Sequence, residues 1–218
     1  MIIVARNKFP EETRKKILDT AQKLFYEKGY DNTTIQDIIN GLGGLTKGVI
    51  YHHFKSKEEI LESVINRSTI SDEQSNWYEN WQGETGLEKI KLQIIQSLQN
   101  VERYAILYSA EALINSPRLI GEVYFSSIDE GARYLQVYID EGIADGSIIT
   151  HYPKELSEFI SLTMNIWLGL NIIRYSRKEL ENKMYFLRNA FESISVPLID
   201  DTVISATLSL YDYIQSGK

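Results

Sequence analysis

The chain has 218 residues, no cysteine and a net charge of −7, which excludes disulfide stapling and thiol catalysis and fits a reducing compartment. Its start, Met-Ile-Ile-Val-Ala-Arg-Asn-Lys, is too short an apolar run for a signal peptide. The longest apolar stretch, 159–173, carries Asn165 and Asn171 and falls short of the roughly 20 residues a membrane span needs. The expectation is a soluble, cytoplasmic protein without membrane contact, long enough for a small head and one larger domain.

In chain order, Ile17, Leu18, Ala21, Leu24 and Phe25 recur at the spacing of one apolar stripe on a helix over 10–28. Pro10 with Glu11 and Glu12 suits its start and Gly29 its end. Thr33, Thr34, Ile35 and Gln36 have capping-box spacing and open a second helix over about 34–40. Gly41, Gly43 and Gly44 break it, Leu45 plugs the core beneath the turn, and Thr46 caps a third helix reaching about His53. Ser56 and Glu59 repeat the capping spacing before a fourth helix with an apolar face of Ile60, Leu61, Val64 and Ile65. Helix, capped helix, glycine turn and short helix is the helix-turn-helix layout, whose last helix enters a major groove.

Residues 11–66 resemble the DNA-binding domain of the TetR family of bacterial transcription regulators. The resemblance runs through Gly29, Thr33-Thr34, Asp37-Ile38, Thr46-Lys47-Gly48, Tyr51, Phe54 and Lys57-Glu58-Glu59-Ile60, about a quarter of the chain. The chain is one residue longer than the usual family pattern between Asp37 and Lys47, with Leu42-Gly43-Gly44-Leu45 in the turn, and Ile39 stands where a small residue is usual. The resemblance implies an all-α protein, with a three-helix DNA-binding head over 1–56 and a helical effector-binding and dimerisation domain over 57–218. It implies a homodimeric repressor of a palindromic double-stranded operator, released by a small-molecule effector, with no enzymatic activity and no cofactor.

Charge points the same way. Residues 1–57 carry ten Lys or Arg against six acids, a balance of +4; with −7 overall, 58–218 carry −11. Positive charge gathered in the first quarter of an acidic chain suits a phosphate backbone. Thr46, Lys47 and Gly48 form the first turn of the third helix, where free N–H groups favour a phosphate. Thr33, Thr34 and Lys57 sit at two other helix starts and are assigned to grip the backbone, while Tyr51 and His52 have the reach to touch a phosphate or a base edge. Phe54 is assigned to the core. His52 and His53 point about 100° apart on a helix and no ligand set surrounds them, so no metal is expected.

Beyond Arg67 the pattern stays helical, with candidates over 87–99, 101–114, 118–144, 154–175, 178–193 and 200–215. The fourth helix runs on toward Ser75 across the boundary of head and body, where it can act as a lever. Fourteen tyrosines and three tryptophans supply pocket walls. Trp77, Trp81, Tyr104, Tyr108, Glu111, Tyr124 and Asn165 are the candidates for an effector pocket, and the acidity of the body suggests a cationic effector. Phe159, Thr163, Trp167, Leu170, Ile204, Leu208 and Tyr211 are assigned to helices that pair with a second copy, against the alternative of ordinary intramolecular core. A helical adaptor whose head binds protein and a DNA-directed enzyme such as a recombinase are the competing classes. The second needs an activated nucleophile or a carboxylate metal cluster, and neither is visible.

Overall fold

The computed structural model describes residues 10–70, 83–110, 117–170 and 173–216. Among them the regular elements are helical and there is no strand. Two compact units divide the chain: Met1–Gln74 with Ala105–Ala110, and Ser75–Tyr104 with Glu111–Lys218. The first unit, the head, reaches past residue 56. It takes in the whole described length of the fourth helix, because Ile60, Leu61 and Val64 are buried within it.

Four helices build the head: α1 Pro10–Lys28, α2 Ile35–Gly41, α3 Lys47–His53 and α4 Lys57–Ile70. α1 packs against α2 and α4, and α2 against α3. The stripe read from sequence is the core, since Ile17, Leu18, Ala21 and Phe25 are all buried and Ile38, Ile50 and Phe54 meet no solvent beyond 2%. Gly29 ends α1 with φ +83°, and its N–H donates to the Phe25 carbonyl at 3.0 Å. Between α2 and α3, Gly43 and Gly44 take φ +60° and +127°, so the longer turn closes through two residues for which that backbone region carries little strain.

The second unit is built from α5 Gly86–Gln99, α6 Val101–Tyr108, α7 Pro117–Ser126, α8 Ala132–Asp145, α9 Pro153–Leu162, α10 Arg177–Ser193 and α11 Asp201–Gln215, with the unit division falling inside α6. Its core joins Ile90, Ile139, Ile160, Leu180, Phe191 and Val203 from five of these helices. α8 packs on α5 and α9, and α11 on α5 and α10. The α5–α8 crossing is close because a Cβ on Gly86 would run into the backbone of Tyr138 and Gly142. Capping fixes the ends: Thr85, Ser176 and Asp200 accept from the first free N–H groups of α5, α10 and α11.

Two expected helices contain π turns. The run over 118–144 is α7 and α8 joined through Ser127–Gly131, and that over 154–175 is α9 continued through Thr163–Leu168 and stopped at Gly169, φ +49°. Period-3.6 reasoning does not register such insertions, since the apolar face resumes after one widened turn.

Candidate nucleic-acid interface

The start of α2 is closed on itself. Thr34, not Thr33, is the N-cap: its hydroxyl accepts from Asp37 N–H at 3.1 Å. The Asp37 carboxylate accepts from Thr34 N–H at 2.9 Å and from the Thr34 hydroxyl at 2.7 Å, and Lys28 bonds its other oxygen at 3.1 Å. These bonds hold the Asp37 carboxyl down to about 2, with the Thr34 hydroxyl the leading cause. The box partner is thus Asp37 and not Gln36. Thr34 gives both its hydrogens to a carboxylate, which corrects its assignment to a phosphate. Thr33 is corrected too: it is fully buried, and its hydroxyl lies against the carbonyls of Gly29 at 2.8 Å and Leu24 at 3.3 Å.

Lys57 also turns inward. Its ammonium donates to the carbonyls of Tyr30 and Thr33, both at 2.9 Å, and lies 4.1 Å from the Tyr30 ring centroid. The loop between α1 and α2 is gripped again where Tyr30 N–H donates to Ser109 Oγ at 2.7 Å, while Ser109 donates to the Ile106 carbonyl. Burial pushes the Tyr30 phenol up, with the Glu58 carboxylate adding to it. The sequence gives no signal for this clamp, because Ser109 lies 79 residues from Tyr30.

α3 is different. Ile50 and Phe54 anchor it from below, whereas Thr46, Lys47, Gly48, Tyr51 and His52 are exposed. Thr46 sits in extended backbone as the N-cap but makes no side-chain cap bond, so its hydroxyl stays available. Lys47 Nζ lies 5.8 Å from the Tyr51 ring centroid, which places a cation and a phenol side by side on the outward face. His53 is half-buried with Nε2 lacking a partner, and burial lowers its pKa. Two exposed neighbours had no assigned role toward DNA: Lys55, in the turn after α3, and Gln36, on α2 and bonded to Asn40. Nothing in periodicity separates them from ordinary surface residues. Arg14 lies over the Phe54 ring at 5.2 Å and bonds Ser63, bracing α1 to α4 beneath α3.

In the second unit a partly open cavity of about 150 Å³ is lined by α5, Tyr104, α8, α9 and both π turns. Of the pocket candidates, Tyr104 and Asn165 line it. Tyr108 and Tyr124 do not, and Tyr124 is 46% exposed on α7. Trp77, Trp81 and Glu111 lie outside the described residues. The assigned pairing residues divide as well. Phe159 and Trp167 are exposed, with the Trp167 ring tilted 40° against exposed Phe186 at 5.7 Å and beneath Lys183 at 3.6 Å. Thr163 and Ile204 are buried in this chain, Leu170 and Leu208 pack on its core, and Tyr211 donates to the Tyr175 carbonyl at 3.0 Å. All five pack within this chain, Thr163 and Ile204 buried and Leu170, Leu208 and Tyr211 in part.

Residues 17–64 match the family profile described as bacterial regulatory proteins, tetR family. Over 146 residues, 63% of this chain and 68% of the other, the chain is 30% identical to the transcriptional repressor KstR2 of Mycolicibacterium smegmatis. The chain belongs to the TetR family. It is 26% identical over 196 residues to the transcriptional regulator QacR of Staphylococcus aureus, covering 83% of this chain and 95% of that one. The fold is shared with a TetR-family transcriptional regulator from Pectobacterium atrosepticum at a TM-score of 0.64 and 23% identity, over 87% of this chain and 97% of the other. TetR-family proteins are transcriptional regulators and not enzymes, which removes the DNA-directed enzyme from the competing classes. No helix among the described residues is long and apolar enough to cross a membrane.

Proposed function

We propose that this TetR-family regulator is a homodimeric repressor, that each head reads one half-site of an approximately palindromic operator, and that a small molecule in the second unit releases it. The observation that carries the DNA reading is the division of α3. Ile50 and Phe54 are locked into the head, while Thr46, Lys47, Gly48, Tyr51 and His52 are turned outward with a free cap hydroxyl and a cation among them. Lys47 and Thr46 suit phosphate, and Tyr51 and His52 suit base edges. Pairing is supported by the exposed aromatic surface of Phe159, Trp167, Tyr185 and Phe186, which a second copy would cover. Two heads then read half-sites about one helical turn, roughly 34 Å, or a multiple of it apart.

Selection from a random duplex library, followed by fluorescence anisotropy across a salt series, tests this reading. A dyad-symmetric consensus with steep salt dependence is expected, together with a light-scattering mass about twice 25.1 kDa. A monomer on an asymmetric site, or salt-insensitive capture of protein, defeats it. Release follows linkage: an effector weakens DNA binding only by the factor with which DNA weakens the effector, typically about 5 to 150-fold.

A further inference from the structure

The cavity of the second unit has a chemistry of its own. Its volume of about 150 Å³ is enough for one benzene-sized molecule, and polar and apolar side chains share its wall about equally. Ile94, Leu98, Leu135, Ile160 and Met164 supply apolar wall, and no charged side chain lines it among the described residues. The polar residues are neutral: Gln93 and Ser97 from α5, Tyr104, Ser161 from α9 and Asn165 from the second π turn.

Those groups are not equally available. Ser161 is buried and donates its hydroxyl hydrogen to the Ser127 carbonyl at 2.8 Å, a carbonyl of the first π turn. It accepts from Asn165 Nδ2 at 3.4 Å, which orients the Asn165 amide and leaves Oδ1 without a donor among the described residues. The Gln93 amide likewise has no side-chain partner there. Gly131 makes this arrangement possible, since a Cβ at that position would stand 2.7 Å from Ser161 Oγ. Both π turns therefore meet at one wall of this space, Gly131 from the first and Met164 with the unpaired Asn165 oxygen from the second, and Gln93 adds a second unpaired amide from α5. π turns cluster at functional sites because the widened turn re-aims side chains and carbonyls.

We propose that this cavity takes a small uncharged amphipathic molecule, one ring or short chain in size with a single neutral hydrogen-bonding head held by Asn165 and Gln93, and excludes cations and carboxylates of the same shape. The −11 of residues 58–218 would draw a cation toward the surface. That field is screened over about 8 Å, whereas an ion entering the half-open cavity gives up part of its hydration and meets no countercharge among the described residues. Desolvation therefore decides the class, and the cationic effector suggested by net acidity is replaced by a neutral one.

This inference rests on reading the second unit as the effector-binding part, and binding is measured without DNA so that the two can fail separately. Benzamide, benzamidinium and benzoate share one shape and differ in charge. Titrated into the full chain by calorimetry and ligand-observed NMR, benzamide is expected to saturate below about 10 mM, the range for so small a ligand, with each ion more than about tenfold weaker. Asn165→Leu is expected to weaken benzamide more than about tenfold. If that variant melts early, Ser97→Trp, on the exposed rim, blocks the same space and carries the same expectation. No saturation by benzamide, an ion binding within tenfold of it, or benzamide binding that survives the substitution overturns the proposed class. Benzamide binding with unchanged duplex affinity overturns the regulatory reading instead and leaves the class standing.

Discussion

The head and the second unit use polar side chains in opposite ways. In the head nearly every polar group near the recognition surface is bonded to its own unit: Thr34 to Asp37, Thr33 to two carbonyls, Lys57 to two more, and Ser109 to Tyr30 and Ile106. The outward face of α3 is the exception, and it is the face proposed to meet DNA. Around the cavity of the second unit, Asn165 and Gln93 keep unpaired groups on the wall of a half-enclosed space. A rigid surface that meets a large rigid partner needs its scaffold satisfied in advance. A pocket that waits for a small ligand needs the reverse.

The sharpest way to break this comparison is to unfold one side of it. Phe54 is 2% exposed beneath α3, and Phe54→Ala removes a buried ring worth about 3 to 5 kcal/mol. Duplex binding should vanish while a thermal melt keeps the transition of the second unit, and benzamide still binds. If the whole chain melts as one, the units are not independent in stability. The mirror experiment is Gly86→Ala, where the new Cβ meets the backbone of Tyr138 and Gly142 and neither can rotate away. A loss of about 1 to 3 kcal/mol confined to the second unit is expected, and an unchanged melt would show that the α5–α8 crossing relaxes freely.

The comparison also explains what was legible. The head is a local object: the stripe of α1, the glycine turn and the caps all lie within a few residues of their partners, so Ile17, Leu18, Ala21 and Phe25 could be placed from spacing alone. Local reasoning failed where a partner is distant or a choice is finely balanced. Lys57 has the composition of a phosphate contact, and only the fold brings the Tyr30 carbonyl within reach of it. Thr33 and Thr34 differ by one residue, and burial decided which of them caps. The cavity could not be read, because its walls come from α5, α6, α8, α9 and two π turns. Apolar periodicity likewise cannot tell Ile204, which faces its own core, from Phe159, which faces out.

Two lysines sharpen the contrast between holding and contacting. Lys57→Met should leave the Tyr30 and Thr33 carbonyls without their charged donor and lower head stability by about 1 to 3 kcal/mol, with the salt slope of DNA binding unchanged. Lys47→Ala should leave the melt unchanged and reduce the slope by about 0.9, one phosphate contact. Parallel salt titrations and melts decide it. A slope reduced by Lys57→Met would return that residue to the phosphate backbone.

The smallest expected effect concerns Asp37, whose carboxyl is held near 2, against an ordinary 3.8, chiefly by the Thr34 hydroxyl and then by Thr34 N–H and Lys28. A carboxylate whose folded pKa is depressed binds protons more readily in the unfolded chain. Its stabilising contribution is therefore complete above about pH 4 and is lost as pH falls from there toward 2. The group is exposed, so the effect is modest and screened by salt. Asp37→Asn keeps an acceptor for Thr34 N–H but removes the charge, and should flatten the acid limb of head unfolding between pH 4 and 2 while leaving neutral-pH duplex binding nearly intact. Glu58 in the head is lowered as well, and Asp145, Glu179 and Asp200 belong to the second unit, so the acid limb must be followed on the head's own transition. An acid limb of the head identical in the variant and the natural chain would mean that the bonds around Thr34 persist in the unfolded state or contribute nothing to holding α2 in place.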